Sequence, residues 1–98
     1  MAIKSYKNSG TRDIAEGVES KTSLRSLPKK LHENARRKLG ALFFATSLGD
    51  LAQFSGWRLE KLFGDRKGRH SLRINQQYRI CFKWTGKDVE DVEIVDYH

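Results

Sequence analysis

Residues 70–84 read HSLRINQQYRICFKW, and this stretch decides the fold. Apolar and polar side chains alternate over residues 70–75 and again over residues 78–84. A two-residue period places successive side chains on opposite faces, which is typical of β-strands. The short connection at residues 75–77 favours an antiparallel hairpin. A third apolar run, at positions 89, 92, 94 and 95, predicts a third strand and therefore an antiparallel meander.

The segment before the meander predicts a turn and one more extended stretch. Gly64 and Gly68 bracket residues 64–68, which favours a turn, with a phosphate-binding loop as the alternative reading. Residues 57–63 carry apolar side chains at positions 57, 59, 62 and 63. This pattern predicts a strand or an extended segment.

A helical period replaces the alternation further towards the N-terminus. Apolar or small residues at positions 31, 35, 39, 42, 43 and 46 recur at steps of three and four. They predict a helix that opens at Pro28 and presents one apolar stripe. Ser26 is its candidate N-cap, and Gly49 is its candidate C-terminal stop.

The sequence predicts smaller elements ahead of this helix. Residues 12–16 form a candidate helix that Gly17 ends, residues 18–27 a loop, and residues 3–6 a short strand. Helices followed by strands predict the α+β class, a twisted sheet with one helical layer across its face. At 98 residues the chain is expected to be a single domain, residues 1–98.

Charge is distributed unevenly along the chain. The formal net charge is +7, and residues 1–68 carry 14 Lys or Arg against 7 Asp or Glu. Residues 69–98 carry 5 against 5, so the whole excess lies in the first two-thirds. Such a surface attracts phosphate-bearing partners or an acidic protein partner, and a merely solubilising surface is the alternative.

The absence of several patterns disfavours whole functional classes. Cys81 is the single cysteine, so no internal disulfide can form, and we expect a packed, inert thiol in a reducing cytoplasm. No apolar run approaches the roughly 20 residues of a membrane span, and no signal peptide follows Met1. One cysteine and three scattered histidines lack metal-binding spacing. We therefore expect a cytoplasmic protein without metal, cofactor or membrane contact.

Two groups of polar residues are candidates for chemistry. Arg73 and Arg79 lie on adjacent predicted strands, where two guanidinium groups can clamp a phosphate. The alternative is that these arginines pair with Glu90 or Glu93 on the next strand. The chain also ends in DYH at residues 96–98, which combines a carboxylate, a phenol and an imidazole able to transfer a proton near neutral pH. Taken alone, this tripeptide is a weak signal, and a frayed tail is the favoured interpretation.

Three segments closely resemble the HigB toxins: residues 64–68 (GDRKG), 70–82 (HSLRINQQYRICF) and 92–98 (VEIVDYH). These toxins, also called plasmid maintenance system killer proteins, belong to the RelE superfamily of type II toxin–antitoxin systems. The resemblance is specific over residues 54–98 and looser over residues 1–53. It implies a RelE-like compact twisted antiparallel sheet with two N-terminal helices packed across one face.

The resemblance also implies an activity and a set of partners. HigB toxins are mRNA interferases that cleave mRNA in the ribosomal A site, beside the 16S rRNA, and so inhibit translation and arrest growth. A HigA-like helix-turn-helix antitoxin neutralises them and represses the operon, so contact with operator DNA is indirect. The alternative is a non-catalytic RNA- or protein-binding module that retains a RelE-like fold.

Candidate site residues carry over by position. Arg79 matches the family's phosphate-binding arginine, and Arg73 belongs to the same motif. The catalytic C-terminal trio of the family corresponds here to Asp96, Tyr97 and His98. We expect RNA or phosphate contacts from six basic residues, namely Arg58, Lys61, Arg66, Lys67, Arg73 and Arg79.

The inferred reaction is metal-free. The ribose 2′-hydroxyl attacks the adjacent phosphate, Arg79 with Arg73 stabilises the developing charge, and His98 protonates the leaving 5′-oxygen. A proton acceptor for the 2′-hydroxyl is then required, and the order of preference is Glu60, Asp96 and His70. Glu60 stands where some relatives carry an additional histidine. His70 shares the alternation of the apolar residues on its strand, so we expect it on the buried face.

Overall fold

A computed structural model describes residues 1–97 and places the helices before the strands. The four α-helices are α1 (Ser9–Glu16), α2 (Lys21–Ser26), α3 (His32–Phe44) and α4 (Leu48–Ala52). The four strands are β1 (Glu60–Lys61), β2 (Arg69–Arg73), β3 (Tyr78–Trp84) and β4 (Val89–Asp96). Single 3₁₀ turns lie at Lys29–Leu31, Ser55–Trp57 and Gly64–Arg66. The strands form one antiparallel sheet in the order β1-β2-β3-β4.

The predicted meander is confirmed, with one irregularity in its third strand. Cys81 pairs with Glu93 but Lys83 pairs with Glu90, so β4 has one more residue than β3 over this interval. This extra residue is a β-bulge, and Asp91 within it adopts a left-handed backbone with φ 52°. The bulge explains why apolar positions 89 and 92 are three apart and are both buried.

The helical layer covers one face of the sheet, as predicted. The core joins buried residues of β2, β3 and β4 to those of α1 and α3, including Leu72, Ile80, Phe82, Ile14 and Leu39. The two main helices of this layer are α1 and α3, to which the shorter α2 and α4 are added. Residues 1–97 therefore have the expected α+β architecture, and it leaves the other face of the sheet for the polar side chains.

Several local predictions about the helices are wrong. Residues 18–27 are not a loop, because Ser20 and Ser23 form a capping box that starts α2. Ser26 lies inside α2, where its hydroxyl donates to the Thr22 carbonyl, so it does not cap α3. Gly49 does not end the long helix either; α3 ends at Phe44, and Gly49 lies in α4.

The N-terminal segment does not form the predicted strand, but two isolated bridges join it to the sheet. Ile3 and Tyr6 bridge to Val89 and Val92 in a parallel arrangement. The Lys4 amide donates to the Val89 carbonyl at 2.8 Å, and the segment thereby covers the outer edge of β4. Residues 57–63 contain the short strand β1 at the other edge. Within the part of the chain described, no helix is long and apolar enough to span a membrane.

Candidate active site

The uncovered face of the sheet collects polar and charged side chains. Arg73 and Arg79 are direct Cα partners across β2 and β3, so both project from the same face. The alternation of each strand puts this face opposite Leu72 and Ile80, which are fully buried beneath the helices. Glu60 of β1 pairs with Ser71 and joins the arginines on this face.

Arg79 is held on several sides before any substrate is present. Its Nη1 lies 3.1 Å from Glu60 Oε1, and its Nη2 donates to the Arg58 carbonyl at 2.9 Å. Its guanidinium carbon lies 5.6 Å from the ring centroid of Tyr97, a cation–π arrangement. Arg79 is 8% exposed, and its buried Nε has no hydrogen-bond partner within residues 1–97. The guanidinium group is therefore oriented and still has an unused donor.

An unusual backbone conformation at Arg58 provides one of these contacts. Arg58 ends the 3₁₀ turn Ser55–Trp57 with φ 48° and ψ 59°, in the left-handed region. A non-glycine residue in this region is uncommon and has an energetic cost. In this conformation the Arg58 carbonyl accepts the hydrogen bond from Arg79.

A pocket of about 180 Å³ opens beside Arg79. Its lining residues are Arg58, Glu60, Arg73, Asn75, Gln76, Arg79 and Tyr97. Three guanidinium groups against one carboxylate leave the lining with a positive formal charge. Such a pocket favours an anionic ligand, and a phosphodiester matches the arginine donors well.

The turn between β2 and β3 is rigidly constructed. The Asn75 side-chain oxygen accepts from the Gln77 and Tyr78 amides at 2.9 and 2.7 Å. Arg73 Nε donates to the Asn75 carbonyl at 3.2 Å, which holds this arginine at the rim of the pocket. Sequence reasoning treated Asn75 and Gln76 only as turn residues. Their position between two arginine-bearing strands was the available signal.

The C-terminal residues are tied to the same turn. Asp96 ends β4 and accepts a hydrogen bond from Gln77 Nε2 at 3.1 Å, and the Tyr97 amide donates to the Gln77 carbonyl. The frayed-tail alternative is therefore wrong up to Tyr97. Tyr97 lines the pocket. Asp96 does not line it, but is hydrogen-bonded to the turn through Gln77. The predicted proton donor His98 lies outside the described residues.

The expected phosphate contacts divide into two groups. Arg58, Arg73 and Arg79 line the pocket, whereas Lys61, Arg66 and Lys67 do not. Lys61 follows Glu60 on β1 and so projects from the opposite face. Arg66 lies over the uncovered face of the sheet, with Nη1 3.7 Å from Cys81 Sγ. Burial is the main cause that raises the pKa of the Cys81 thiol, in keeping with an inert side chain.

The surface pairs proposed as alternatives for the arginines are formed by other residues. Glu90 lies 3.5 Å from Lys83 Nζ, and Glu93 lies 3.7 Å from Lys7 Nζ. Arg73 makes no ion pair within residues 1–97, and the partner of Arg79 is Glu60. The alternative pairing of these arginines with β4 is thus wrong.

His70 lies on the helix-covered face, as predicted. Its ring centroid is 6.0 Å from that of Phe82 and 6.1 Å from that of Trp84. Burial, followed by the charge of Lys61, lowers the pKa of His70 below its ordinary value. The sheet separates His70 from Arg79, so the third-ranked proton acceptor is not in the pocket. Nor do residues 1–97 contain a cluster of three or more carboxylate, imidazole or thiol groups able to hold a metal ion.

Comparison with known proteins identifies related sequences. A family model described as "RelE-like toxin of type II toxin-antitoxin system HigB" matches residues 13–98. Endoribonuclease HigB of Proteus vulgaris is 31% identical over 97 residues, which cover 98% of this chain and 99% of the relative. Toxin HigB-1 of Vibrio cholerae is 40% identical over 60 residues, covering 61% of this chain and 63% of that toxin.

Proposed function

The chain belongs to the HigB family of RelE-like toxins from type II toxin–antitoxin systems, and we propose that it is a ribosome-dependent endoribonuclease that cleaves mRNA. The observation that carries this proposal is the prearranged Arg79, held by Glu60 and the Arg58 carbonyl at the wall of a positively charged pocket. The relative named as an endoribonuclease aligns over nearly its whole length, which supports transfer of the activity.

The arginines act on the scissile phosphate. The 2′-oxygen forms a new bond to phosphorus while the bond from phosphorus to the 5′-oxygen breaks, which leaves a 2′,3′-cyclic phosphate and a 5′-hydroxyl. Negative charge on the non-bridging oxygens increases in the transition state. Arg79 and Arg73 donate to these oxygens from fixed positions, so little reorganisation is required during the reaction.

Proton transfer requires one acceptor and one donor. Glu60 is about half exposed at the pocket wall and accepts the proton of the 2′-hydroxyl once the phosphate has taken over part of its contact with Arg79. His98 gives a proton to the leaving 5′-oxygen, and Asp96 orients His98. Tyr97 stacks against the Arg79 guanidinium and limits its freedom. No metal takes part in this mechanism.

The ribosome supplies what the pocket cannot. A cavity of about 180 Å³ has room for one phosphodiester and part of its sugars, so it contacts too little RNA to hold the 2′-oxygen, the phosphorus and the 5′-oxygen in line for attack. The ribosomal A site and its 16S rRNA would order the mRNA instead. Purified protein should therefore cut mRNA on ribosomes with an open A site and leave naked RNA intact. Efficient cleavage of naked RNA at physiological salt would contradict this part of the proposal.

The proposal extends to the partners and the cellular location. A HigA-like helix-turn-helix antitoxin neutralises the toxin and connects it to operator DNA, and the reaction takes place in the cytoplasm. Induced expression of the chain alone should arrest growth, co-expression of a cognate HigA-like antitoxin should restore growth, and Arg79→Ala should be harmless. A chain that arrests growth equally well with Arg79→Ala would instead act as a non-catalytic binding module.

A further inference from the structure

Phe54 and Trp57 form a parallel ring stack immediately before Arg58 in the chain. Their ring centroids are 4.1 Å apart, with an angle of 15° between the planes. Trp57 packs against the hydrophobic core, whereas Phe54 remains 43% exposed. The mechanism proposed above uses neither ring. Part of the Phe54 ring is thus presented to solvent, four residues before Arg58, which lines the pocket.

The stack is fixed in place by its surroundings. The Trp57 amide donates to the Phe54 carbonyl at 2.9 Å across the 3₁₀ turn, which sets the spacing of the two residues. Lys38 Nζ lies 5.7 Å from the centroid of the Trp57 ring and donates to the Ile74 carbonyl at 3.4 Å. Phe54 therefore rests on a supported ring, and its open face needs no rearrangement to receive a flat ligand.

The stack is connected to the pocket on two sides. Arg58, which follows Trp57, lines the pocket and accepts a hydrogen bond from Arg79. The Ile74 carbonyl accepts a hydrogen bond from Lys38, and in the sequence Ile74 lies between Arg73 and Asn75, which both line the pocket. The charge of Arg73 is also among the causes that lower the pKa of Lys38, after burial and the charge of Arg37. The aromatic stack is thus linked to the pocket along the chain through Arg58, and through the hydrogen bond of Lys38 to Ile74.

We propose that the open face of Phe54 binds a nucleobase of the RNA beside the phosphate held by Arg73 and Arg79. This inference rests on the proposed function, because it takes RNA as the ligand of the pocket. Every nucleobase has a π-face that stacks on aromatic side chains, and adjacent cations hold the sugar-phosphate chain. The base comes either from the mRNA or from ribosomal RNA, and both offer the same chemistry.

The first experiment separates stacking from phosphate binding. Affinity is measured by fluorescence anisotropy with a labelled 2′-O-methyl oligoadenylate hexamer, which cannot be cleaved, and inorganic polyphosphate is the competitor without bases. Phe54→Ala should weaken binding of the hexamer on the order of tenfold, in line with the usual contribution of one stacked base. The affinity for polyphosphate should not change.

Matched variants make this experiment decisive. Phe44→Ala removes an equally apolar ring that is 81% exposed on α3 and should leave both affinities unchanged. Phe54→Trp should retain the affinity for the hexamer, whereas Phe54→Leu, which keeps apolar area without an aromatic face, should lose it. Equal affinity of the wild type and Phe54→Ala for the hexamer, or an equal loss for hexamer and polyphosphate, would overturn the proposal.

The second experiment identifies the source of the base. Binding of the wild type and Phe54→Ala is compared on vacant ribosomes and on ribosomes programmed with uncleavable mRNA. Weaker binding of the variant to both indicates a ribosomal RNA base, and weaker binding only to programmed ribosomes indicates an mRNA base. If the wild type and Phe54→Ala bind equally well to vacant and to programmed ribosomes, the proposal is overturned for the ribosome-bound state. Since neither experiment requires cleavage, stacking could be confirmed even if the chain proved catalytically inactive.

Discussion

Arg79 organises the candidate site at the level of single residues. One guanidinium group contacts a carboxylate, a main-chain carbonyl and an aromatic ring, and its exposure is 8%. Such a group loses little conformational entropy when a phosphate binds, because its orientation is already fixed. In the proposed reaction, Arg79 is a contact that gains strength as charge develops on the phosphate oxygens.

Arg79→Ala should lower the rate of cleavage on programmed ribosomes by about 10²- to 10³-fold, the usual cost of removing one donor to a charged transition state. Binding to the ribosome should change much less, since one phosphate contact is a small part of the whole interface. Single-turnover cleavage and sedimentation with ribosomes measure the two quantities. Arg25→Ala, at an exposed position on α2, is the control. Equal losses in both measurements would make Arg79 a docking residue.

Glu60→Gln should slow the chemical step by at least about 100-fold, because an amide cannot accept the 2′-proton. The variant should keep its fold, since the glutamine side-chain oxygen can still accept a hydrogen bond from Arg79 and Glu60 is half exposed. Glu90→Gln, which removes a carboxylate from the surface pair with Lys83, is the control. If Glu60→Gln cleaves at the wild-type rate while Asp96→Asn is folded and inactive, Asp96 is the proton acceptor.

His70 should make the fold sensitive to acid. Its pKa is below the ordinary 6.5 in the folded protein, mainly because of burial, so the unfolded chain takes up this proton more readily. The free energy of unfolding therefore falls as the pH drops below about 6.5, where the unfolded chain binds the proton, and it rises again as the pH is raised. Thermal melts between about pH 8 and about pH 5.5 should show a smaller decrease in Tm for His70→Phe than for the wild type. An identical decrease in both would show that His70 does not cause the sensitivity.

At the level of elements, two short features position the site. Strand β1 has only two residues, yet its pairing with β2 places Glu60 opposite Ser71 and within reach of Arg79. The bulge in β4 shifts the phase of the strand, so that apolar residues before and after it face the core together. Without that shift, either Val89 or the apolar residues of the C-terminal half of β4 would face away from the helices.

Ser20 connects two of the helices and should contribute measurably to stability. Its hydroxyl accepts from the Ser23 amide at 3.1 Å and donates to Asp13 of α1 at 2.6 Å. Ser20→Ala should cost about 1 kcal/mol, the typical effect of losing an N-cap. For a domain of this size that lowers Tm by about 4–8 °C in a thermal melt. Ser47→Ala is the matched control, because Ser47 occupies the N-cap position of α4 without a capping hydrogen bond. Similar losses in both variants would contradict the prediction.

At the level of the whole molecule, the charge excess governs encounters with partners. The net charge is +7, and the basic excess lies in residues 1–68, which include the whole helical layer. The sheet adds its own cationic pocket on the uncovered face. Under the proposed function, this charge distribution favours RNA at the pocket and an acidic segment of the antitoxin at the basic helical part.

Neutralisation by the antitoxin should therefore depend on salt. Raising the ionic strength from about 0.1 M to about 1 M shortens the screening length from about 10 Å to about 3 Å and weakens attraction between exposed charges. The antitoxin concentration that gives half-maximal inhibition should rise accordingly, as measured by titration with purified antitoxin. Isothermal titration calorimetry at both salt concentrations, without ribosomes, provides the control. Inhibition that is insensitive to ionic strength would show a mainly apolar interface.

The sequence by itself determined the strands of the meander, the α+β class and the family. Alternation is a local property that specifies which face a side chain occupies, so it also placed Arg73 and Arg79 together and His70 on the other face. Helix ends were predicted less well. The capping box at Ser20 and the interruption before Gly49 depend on side-chain hydrogen bonds that compete with the apolar period.

Only the tertiary structure decided how the site is completed. The contact between Glu60 and Arg79 depends on the pairing of the edge strand β1 with β2. With only two residues, β1 is too short to show an alternation of apolar and polar side chains. The left-handed backbone at Arg58 likewise places its carbonyl where the distant Arg79 donates a hydrogen bond to it. Such contacts follow from long-range packing, which overrides local preference, so no local sequence pattern specifies them.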